Sequence, residues 1–196
     1  MGDITILAGG LKGQRIQIPS HTPGLRPILA QIKKSLFDIL KNSIEDSSFL
    51  DLFSGTGAVG FEALSRGARE VVFMEQDPLT HRRLNETIRN FSTRNPDFFE
   101  RKAVTVHKAD ILKGLGWLGR EFDLIFSGAP YVDAKKKPLY FVNRLLLLLE
   151  RDRVLKKGGL FIAQHHNKET FEVPSAWKLT RQERYGDSQI SFFKQI

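Results

Sequence analysis

The sequence predicts an α/β protein with a doubly wound, mostly parallel sheet of seven strands and an antiparallel hairpin at its C-terminal end. After residue 48, five short apolar runs alternate with stretches of helical periodicity. The first of these runs leads into a glycine-rich turn, FLDLFSGTGAVG at residues 49–60. Two further β-prone runs, Trp177 to Arg184 and Gln189 to Lys194, are closely connected, which predicts the hairpin.

The N-terminal residues predict a small β-hairpin extension of this domain. Residues 4–18 contain two β-prone runs around Gly9, Gly10 and Gly13, and residues 19–27 resemble a linker because prolines lie at both ends. We therefore divide the chain into a hairpin and linker over residues 1–27 and a main domain over residues 28–196.

The main domain is predicted to begin with an amphipathic helix from Ile28, since apolar positions recur there at helical spacing up to Leu40. Lys33 and Lys34 are placed on its other faces. The elements that follow the first strand are predicted in this order: a helix at 58–66, a strand at 71–75, a helix at 78–94, strands at 103–107 and 122–126, a helix at 138–153 closed by residues 156–159, and a strand at 160–164.

The glycine-rich turn is a candidate nucleotide pocket. Gly55, Gly57 and Gly60 lie between a strand and a helix start, where a ligand can approach the main chain and the helix N–H groups. The pattern alone also serves NAD and FAD proteins. Asp51 disfavours a dinucleotide, because a carboxylate would repel its diphosphate and would instead attract an ammonium group. Glu75 suits ribose hydroxyls in either case.

Polar residues follow four predicted strands, where ligands of open parallel sheets bind. They are Asp51, Glu75, Asp110 and the segment from Ser127 to Tyr131. Asp110 either accepts from an adenine amino group or caps the short helix after it, and spacing alone slightly favours the cap.

Composition limits the class of protein. The 196 residues carry 30 basic and 22 acidic side chains, a net charge of +8, which favours a polyanionic partner such as nucleic acid. There is no cysteine, so disulfides and thiolate metal sites are excluded. The N-terminus lacks the apolar core of a signal peptide, and the leucines at 145–149 are too few to span a membrane. We expect a cytoplasmic protein.

Taken together, these motifs resemble the RsmD-like family of bacterial small-subunit (16S) ribosomal RNA guanine-N2 methyltransferases. The resemblance covers nearly the whole chain and rests on these segments: AGGLKGQRIQIP, LRP, SLFDIL, DLFSGTGAVGFEALSRGA, FMEQD, FDLIFSGAPY, LKKGGLFI and RYGDSQISFF. It implies a Rossmann-like methyltransferase domain that uses S-adenosyl-L-methionine, with ribosomal RNA or an assembling small subunit as partner.

The family's cofactor residues carry over onto positions of this chain that match its motifs. The resemblance implies that the cofactor is held by Asp51, Phe53, Ser54, Gly55, Gly57, Glu75, Gln76 and Asp110. No metal is expected, because a sulfonium is already a good electrophile. His165 and His166 are interpreted as strand-end or loop residues rather than metal ligands.

The family's target-amine motif, Asp/Asn-Pro-Pro-Tyr, reads Gly128-Ala129-Pro130-Tyr131 here. Gly128 has no side chain to hold the amine, so main-chain carbonyls near Ala129 and Pro130 are expected to do so, with Tyr131 stacking on a flipped base. The alternative is a weakened or inactive descendant that binds RNA as an assembly factor. In either case Lys12, Arg15, Arg26 and Lys33 are the predicted RNA contacts.

Overall fold

The computed structural model describes residues 3–18 and 28–196. Near the N-terminus, β1 (Ile4–Thr5) pairs with β2 (Arg15–Ile16) as the predicted antiparallel hairpin, with Ile4 opposite Ile16. The predicted linker at 19–27, with its candidate RNA contact Arg26, lies outside the described residues.

The large sheet contains seven strands, as predicted. They are β3 (Ser48–Asp51), β4 (Glu70–Glu75), β5 (Ala103–Lys108), β6 (Phe122–Ser127), β7 (Leu155–His166), β8 (Trp177–Tyr185) and β9 (Ser188–Gln195). Their spatial order is β5-β4-β3-β6-β7-β9-β8. Strands β3 to β7 pair in parallel, and β9 is antiparallel to both β7 and β8. This confirms the doubly wound class with a C-terminal hairpin.

Helices cover both faces of the sheet. They are α1 (Ala30–Ile39), α2 (Ala58–Ser65), α3 (Pro78–Arg94), α4 (Pro96–Phe99) and α5 (Val142–Asp152). Neighbouring residues of β3 enter different cores, because side chains alternate along a strand. Phe49 packs with α1, α2, α3 and the N-terminal hairpin, whereas Leu50 packs with α5. Across residues 3–18 and 28–196, no helix has the length and apolarity that a membrane crossing requires.

The predicted start of α5 and the predicted start of β7 are wrong. The helix begins at Val142 rather than near residue 138, because Val132 and Pro138 instead form an antiparallel bridge. It ends at Asp152, and Arg153 follows in the left-handed region at φ 50°. Residues 156–159, expected to close the helix, belong to β7, which already pairs at Leu155 with Phe122.

A buried carboxylate on α2 joins the N-terminal hairpin to the main domain. Glu62 is fully buried and accepts from the backbone N–H groups of Leu7 at 2.9 Å and Ala8 at 3.2 Å. It also pairs with the Arg66 guanidinium at 2.8 Å. The hairpin's main chain therefore depends on one side chain of the helix that follows the glycine-rich turn.

The prediction that Lys33 contacts RNA is wrong, because its side chain is buried in the core. Its Nζ lies 2.9 Å from a Glu62 carboxylate oxygen and donates to the Thr5 carbonyl at 2.9 Å. Burial lowers the pKa of Lys33, and the negative charge of Glu62 opposes that shift. The residue connects α1 to the hairpin and to α2. Lys33 was placed off the apolar face of the helix because lysine side chains are usually exposed.

Small residues bring the turn of the hairpin against the last residue of α2. Gly10 N donates to the Ser65 carbonyl at 2.8 Å, and Leu11 N donates to the Ser65 hydroxyl at 2.9 Å. Gly9 has φ +84°, and a Cβ there would lie 1.7 Å from the Ser65 carbonyl oxygen. Ile6 and Leu11 are buried in the same core as α2. The hairpin thus packs onto the C-terminal half of this helix.

We predict that Glu62→Gln lowers the free energy of unfolding by about 3–5 kcal/mol, because it leaves the Lys33 ammonium buried without its counter-charge. Urea unfolding measures the change. Lys34→Gln is the matched control, since the Lys34–Asp38 pair is exposed and should contribute less than about 1 kcal/mol. Equal small losses in the two variants would contradict the role assigned to Glu62.

Candidate active site

The winding of the sheet creates a crevice at the carboxyl ends of its parallel strands. From β3 the chain proceeds to β4 and β5 on one side, and β6 begins the other half. Ligands of open α/β sheets bind beside such a reversal. The end of β3 at Asp51 lies next to the end of β6, since Asp51 pairs with Phe126. The four strand ends predicted to converge therefore lie on one edge.

The glycine-rich turn leads directly from β3 into α2. Gly57 is the residue before the helix and has φ +78°. A Cβ there would lie 2.6 Å from Leu84 Cδ1 and 2.8 Å from the Phe61 ring, so both side chains would have to shift, and the positive φ itself favours glycine. Gly55, at φ +53°, completes the turn.

Ser54 fixes the turn against the neighbouring strand. Its hydroxyl donates to the Asp51 carbonyl at 2.9 Å and accepts from Met74 N at 2.9 Å. Its own N–H donates to the Met74 carbonyl at 3.1 Å. The side chain is buried and shapes the turn, and its predicted contact with a cofactor stays a prediction.

Asp51 presents a buried carboxylate to the start of α2. Its Oδ2 accepts from Gly60 N at 3.2 Å, one of the N–H groups in the first helical turn that lack an intrahelical partner. Its Oδ1 is buried and has no hydrogen-bond partner among the described residues. Burial raises the pKa of Asp51 to about 7, the Gly60 N–H opposes this, and the negative charge of Glu75 adds to it. A cation or donor at Oδ1 would satisfy the group.

Glu75 connects the turn with the loop after β4. One carboxylate oxygen accepts from Gly55 N at 2.9 Å, and the other accepts from Asp77 N at 2.8 Å. Asp77 caps α3 through Thr80 N at 2.8 Å, and Gln76 between the two acids is exposed. Each carboxylate oxygen has a second lone pair, so Glu75 retains acceptors for ligand hydroxyls.

Asp110 caps a short 3-10 turn, Ile111–Lys113, by accepting from Leu112 N at 3.0 Å. The capping alternative is therefore confirmed. The second alternative, contact with an adenine amino group, stays a prediction.

On the β6 side, Tyr131 is held by strands β7 and β9. Its Oη donates to the Ser188 hydroxyl at 3.0 Å and accepts from Gln164 Nε2 at 3.1 Å. The His166 ring meets the tyrosine ring edge-on at 5.7 Å. Sequence reasoning missed these supports, although Ser188 lies in the terminal segment RYGDSQISFF that carried part of the resemblance.

A small pocket opens beside Tyr131, between β6, β7 and α5. Its lining includes Ser127, Ala129, Leu139, Phe141 and Glu169. Glu169, also missed from the sequence, accepts from Val142 N at 2.8 Å and so caps the start of α5. Burial raises its pKa, and the N–H groups of Val142 and Phe141 oppose that shift.

The two halves of the site meet through a pair of aromatic rings. Phe53, in the glycine-rich turn, and Phe141, in the pocket, have ring centroids 5.4 Å apart. The turn and the pocket are therefore adjacent, which is the arrangement that a group transfer between two bound molecules requires.

Gly128 follows the end of β6, and its own Phe126 neighbour limits the space for a side chain there. A Cβ at Gly128 would lie 3.1 Å from Phe126 Cε1 and 3.6 Å from the ring's Cζ, so the ring would have to shift by a few tenths of an ångström to accept one. Ser127 and Ala129 on either side are buried. Main-chain carbonyls that could hold a target amine beside Tyr131 belong to this short segment, residues 127–130.

The two histidines at the end of β7, His165 and His166, contact other residues of the protein. His165 Nε2 lies 2.8 Å from the Ser191 hydroxyl and its Nδ1 lies 3.0 Å from the His166 carbonyl, and burial lowers its pKa. Within the described ranges there is no group of three or more histidine, aspartate or glutamate side chains arranged to hold a metal ion.

Comparison with known proteins agrees with this arrangement. A family model described as "Conserved hypothetical protein 95" matches residues 4–194. Ribosomal RNA small subunit methyltransferase D of Buchnera aphidicola (Acyrthosiphon pisum) is 30% identical over 180 residues, covering 90% of this chain and 85% of that protein. The chain belongs to this RsmD-like methyltransferase family.

Other relatives extend the match over sequence and fold. The protein of the same name from Escherichia coli is 27% identical over 186 residues, 94% of this chain and 86% of that one. A solved structure, the putative methyltransferase yhhF from Escherichia coli, superimposes with a TM-score of 0.79 at 24% identity and covers 99% of this chain and 98% of its own. The predicted resemblance is confirmed.

We predict that Asp51→Asn stabilises the ligand-free protein at neutral and alkaline pH. A carboxyl whose pKa rises from 3.8 to about 7 on folding holds its proton more tightly in the native state, so wild-type stability falls as pH rises between those values. Urea unfolding should show the variant gaining relative to wild type from about pH 4 and reaching a plateau above pH 7, at up to ~4 kcal/mol. A constant difference across this range would contradict the assigned pKa.

Proposed function

We propose that this protein transfers a methyl group from S-adenosyl-L-methionine to the exocyclic amino group of a guanine in small-subunit ribosomal RNA. The partner is that RNA or an assembling small subunit, which would place the activity in the cytoplasm. The observation that carries the proposal is the buried Asp51 oxygen, which has no hydrogen-bond partner among the described residues. The glycine-rich turn beside it contacts the pocket next to Tyr131 through the rings of Phe53 and Phe141. The names of the relatives supply the class of RNA.

The residues at the turn fit the proposed cofactor. Asp51 offers a buried acceptor for the ammonium of the methionine part, and Glu75 retains lone pairs for ribose hydroxyls. The turn has no space for side chains at Gly57, so a ligand would lie against the main chain. The cofactor would be held by Asp51, Phe53, Ser54, Gly55, Gly57, Glu75, Gln76 and Asp110.

When bound, the cofactor supplies a methyl carbon made electrophilic by its sulfonium. The protein's part is to aim the lone pair of the target amine at that carbon. Main-chain carbonyls at Ala129 and Pro130 would accept the amine's N–H groups, and the Tyr131 ring would stack on the flipped base. Ser188 and Gln164 fix the position of that ring. The cofactor would supply the methyl group and leave as its demethylated product, and the methylated nitrogen would release one proton.

The alternatives weighed from the sequence are not favoured. An NAD enzyme would place a diphosphate near Asp51, whose carboxylate is already buried beside a second acid. An inactive assembly factor was suggested by Gly128 alone, whereas the relatives bear the names of methyltransferases. The segment around Gly128 keeps the Ala129 and Pro130 carbonyls and a firmly held Tyr131.

Transfer of tritium from labelled S-adenosyl-L-methionine to small subunits tests the proposal. The subunits should come from cells that lack this protein, so that the target amine is unmethylated. We expect label in the RNA, within a guanine, and none on subunits from cells that contain the protein. Absence of label from subunits of the deficient cells would refute the proposed reaction.

We predict that Tyr131→Leu lowers kcat/KM for RNA by about 10–100-fold, because it removes base stacking that contributes about 1–3 kcal/mol. Tyr131→Phe keeps the ring and removes only the hydrogen bonds to Ser188 and Gln164, so its effect should stay within about 10-fold. Single-turnover rates, with cofactor affinity measured in parallel, separate the two effects. Similar rates in Tyr131→Leu and wild type would contradict base stacking.

We also predict that Lys12 and Arg15, which are both exposed on the hairpin, strengthen RNA binding by neutralising phosphates. The double variant Lys12→Gln/Arg15→Gln should reduce the salt dependence of RNA affinity by about 0.7–0.9 for each phosphate that is no longer neutralised. Fluorescence anisotropy over a salt series measures this. Point substitutions are preferable to deletion of residues 1–27, because the hairpin packs on α2. An unchanged slope would remove the hairpin from the RNA interface.

A further inference from the structure

A short basic turn lies beside the pocket next to Tyr131 and has no assigned part in the proposed reaction. It contains Lys135, Lys136 and Lys137, which are consecutive and all exposed. The turn follows directly from Tyr131, and Leu139 N returns to the Tyr131 carbonyl at 2.9 Å. The three lysines are therefore tied to the residue that is proposed to stack on the target base.

The turn is ordered by its own backbone and by one acid. Val132 and Pro138 form an antiparallel bridge, and Asp133 N donates to the Lys137 carbonyl at 2.9 Å. The Asp133 carboxylate accepts from the backbone N–H groups of Lys135 and Lys137, each at 2.8 Å. Its acceptors are directed at the main chain, where they hold the shape of the turn.

The lysine ammonium groups remain available to an outside anion. In the part of the chain that the structure describes, none of the three forms an ion pair. This differs from Lys33 and Lys156, whose ammonium groups are paired with Glu62 and Asp123. The turn thus presents three charges on a fixed backbone.

Exposed apolar groups flank the turn on the pocket side. Tyr140 is 56% exposed and Val132 is 48% exposed, both within two residues of pocket-lining side chains. Basic groups that follow a nucleic-acid backbone, next to an aromatic surface for bases, are typical of sites for single-stranded RNA. The N-terminal hairpin, by contrast, turns against the end of α2 that is farther from the glycine-rich turn.

We propose that the turn formed by Lys135, Lys136 and Lys137 binds the phosphates that flank the target nucleotide and so holds the RNA at the pocket. This inference rests on the proposed function and names the part of the site that engages the RNA backbone. The hairpin would contact RNA at a distance from the target base, and the lysine turn would contact it next to that base.

The test replaces the three lysines by glutamine, which removes their charge and keeps their length. The matched control is Lys157→Gln/Lys178→Gln/Lys194→Gln. These residues are also exposed, and they lie toward the edge of the sheet opposite the site, since Lys178 pairs with Lys194 and β9 is antiparallel to β7. Both triple variants remove the same charge, so a difference between them reports position rather than net charge.

Anisotropy with a fluorescein-labelled single-stranded RNA of about 20 nucleotides measures affinity over a salt series. We expect the Lys135→Gln/Lys136→Gln/Lys137→Gln variant to bind about 10–100-fold more weakly at low salt, with a slope of log affinity against log salt smaller by about 2. Its KM for small subunits in the tritium assay should rise by a similar factor. Its cofactor affinity should match wild type.

The inference would be overturned if the two triple variants behaved equally, whether both lost affinity for RNA or neither did. In that case, transfer of label to the RNA by the wild-type protein would still support the proposed function. No label on the RNA from the wild-type protein would instead overturn the proposed function and this inference with it.

Discussion

The carboxylate of Asp51 is kept out of water at the end of β3, and the geometry of the site follows from that constraint. Raising its pKa to about 7 corresponds to roughly 4 kcal/mol against the ionised form. The N–H of Gly60, at the start of α2, offsets part of this cost, and the neighbouring charge of Glu75 adds to it. A bound cation would offset this cost, because an opposite charge nearby favours the ionised carboxylate.

Helix α2 donates to Asp51 from its first turn and carries Glu62 about one turn after its first residue. Glu62 accepts from the N-terminal hairpin and pairs with Lys33 of α1. One helix of eight residues therefore connects the glycine-rich turn, the first helix and the hairpin. Loss of the hairpin would leave Glu62 and Lys33 without their main-chain partners, and an incomplete buried charge network is costly.

The fold and half of the site follow from local patterns in the sequence. Alternating apolar runs predicted the sheet, and the strand ends at Asp51 and Glu75 were correctly placed on one edge, because parallel strands share their direction. The start of α5 was wrong, since the bridge between Val132 and Pro138 carries no periodic signal, whereas its end at Asp152 lies one residue from the predicted one.

The sequence alone could not predict interactions between segments that are distant along the chain. Lys33 resembles any solvated lysine until Glu62, 29 positions later, is placed against it. The support of Tyr131 by Ser188 likewise depends on how strands β7 and β9 pair, and the support of α5 by Glu169 depends on where the loop after β7 lies. Such side chains lie far apart along the chain, so only the assembled sheet brings them together.

The central claim is that Asp51 is the electrostatic anchor of the cofactor, and its titration tests this most directly. Carboxyl carbons of ¹³C-labelled protein can be followed by NMR over a pH series, with Asp51→Asn assigning the signal. The account predicts a pKa near 7 in the free protein, as burial dictates, and a marked fall when S-adenosylhomocysteine is bound, since the ligand's ammonium favours the ionised form. A pKa near 4 in the free protein, or no change on binding, would contradict it.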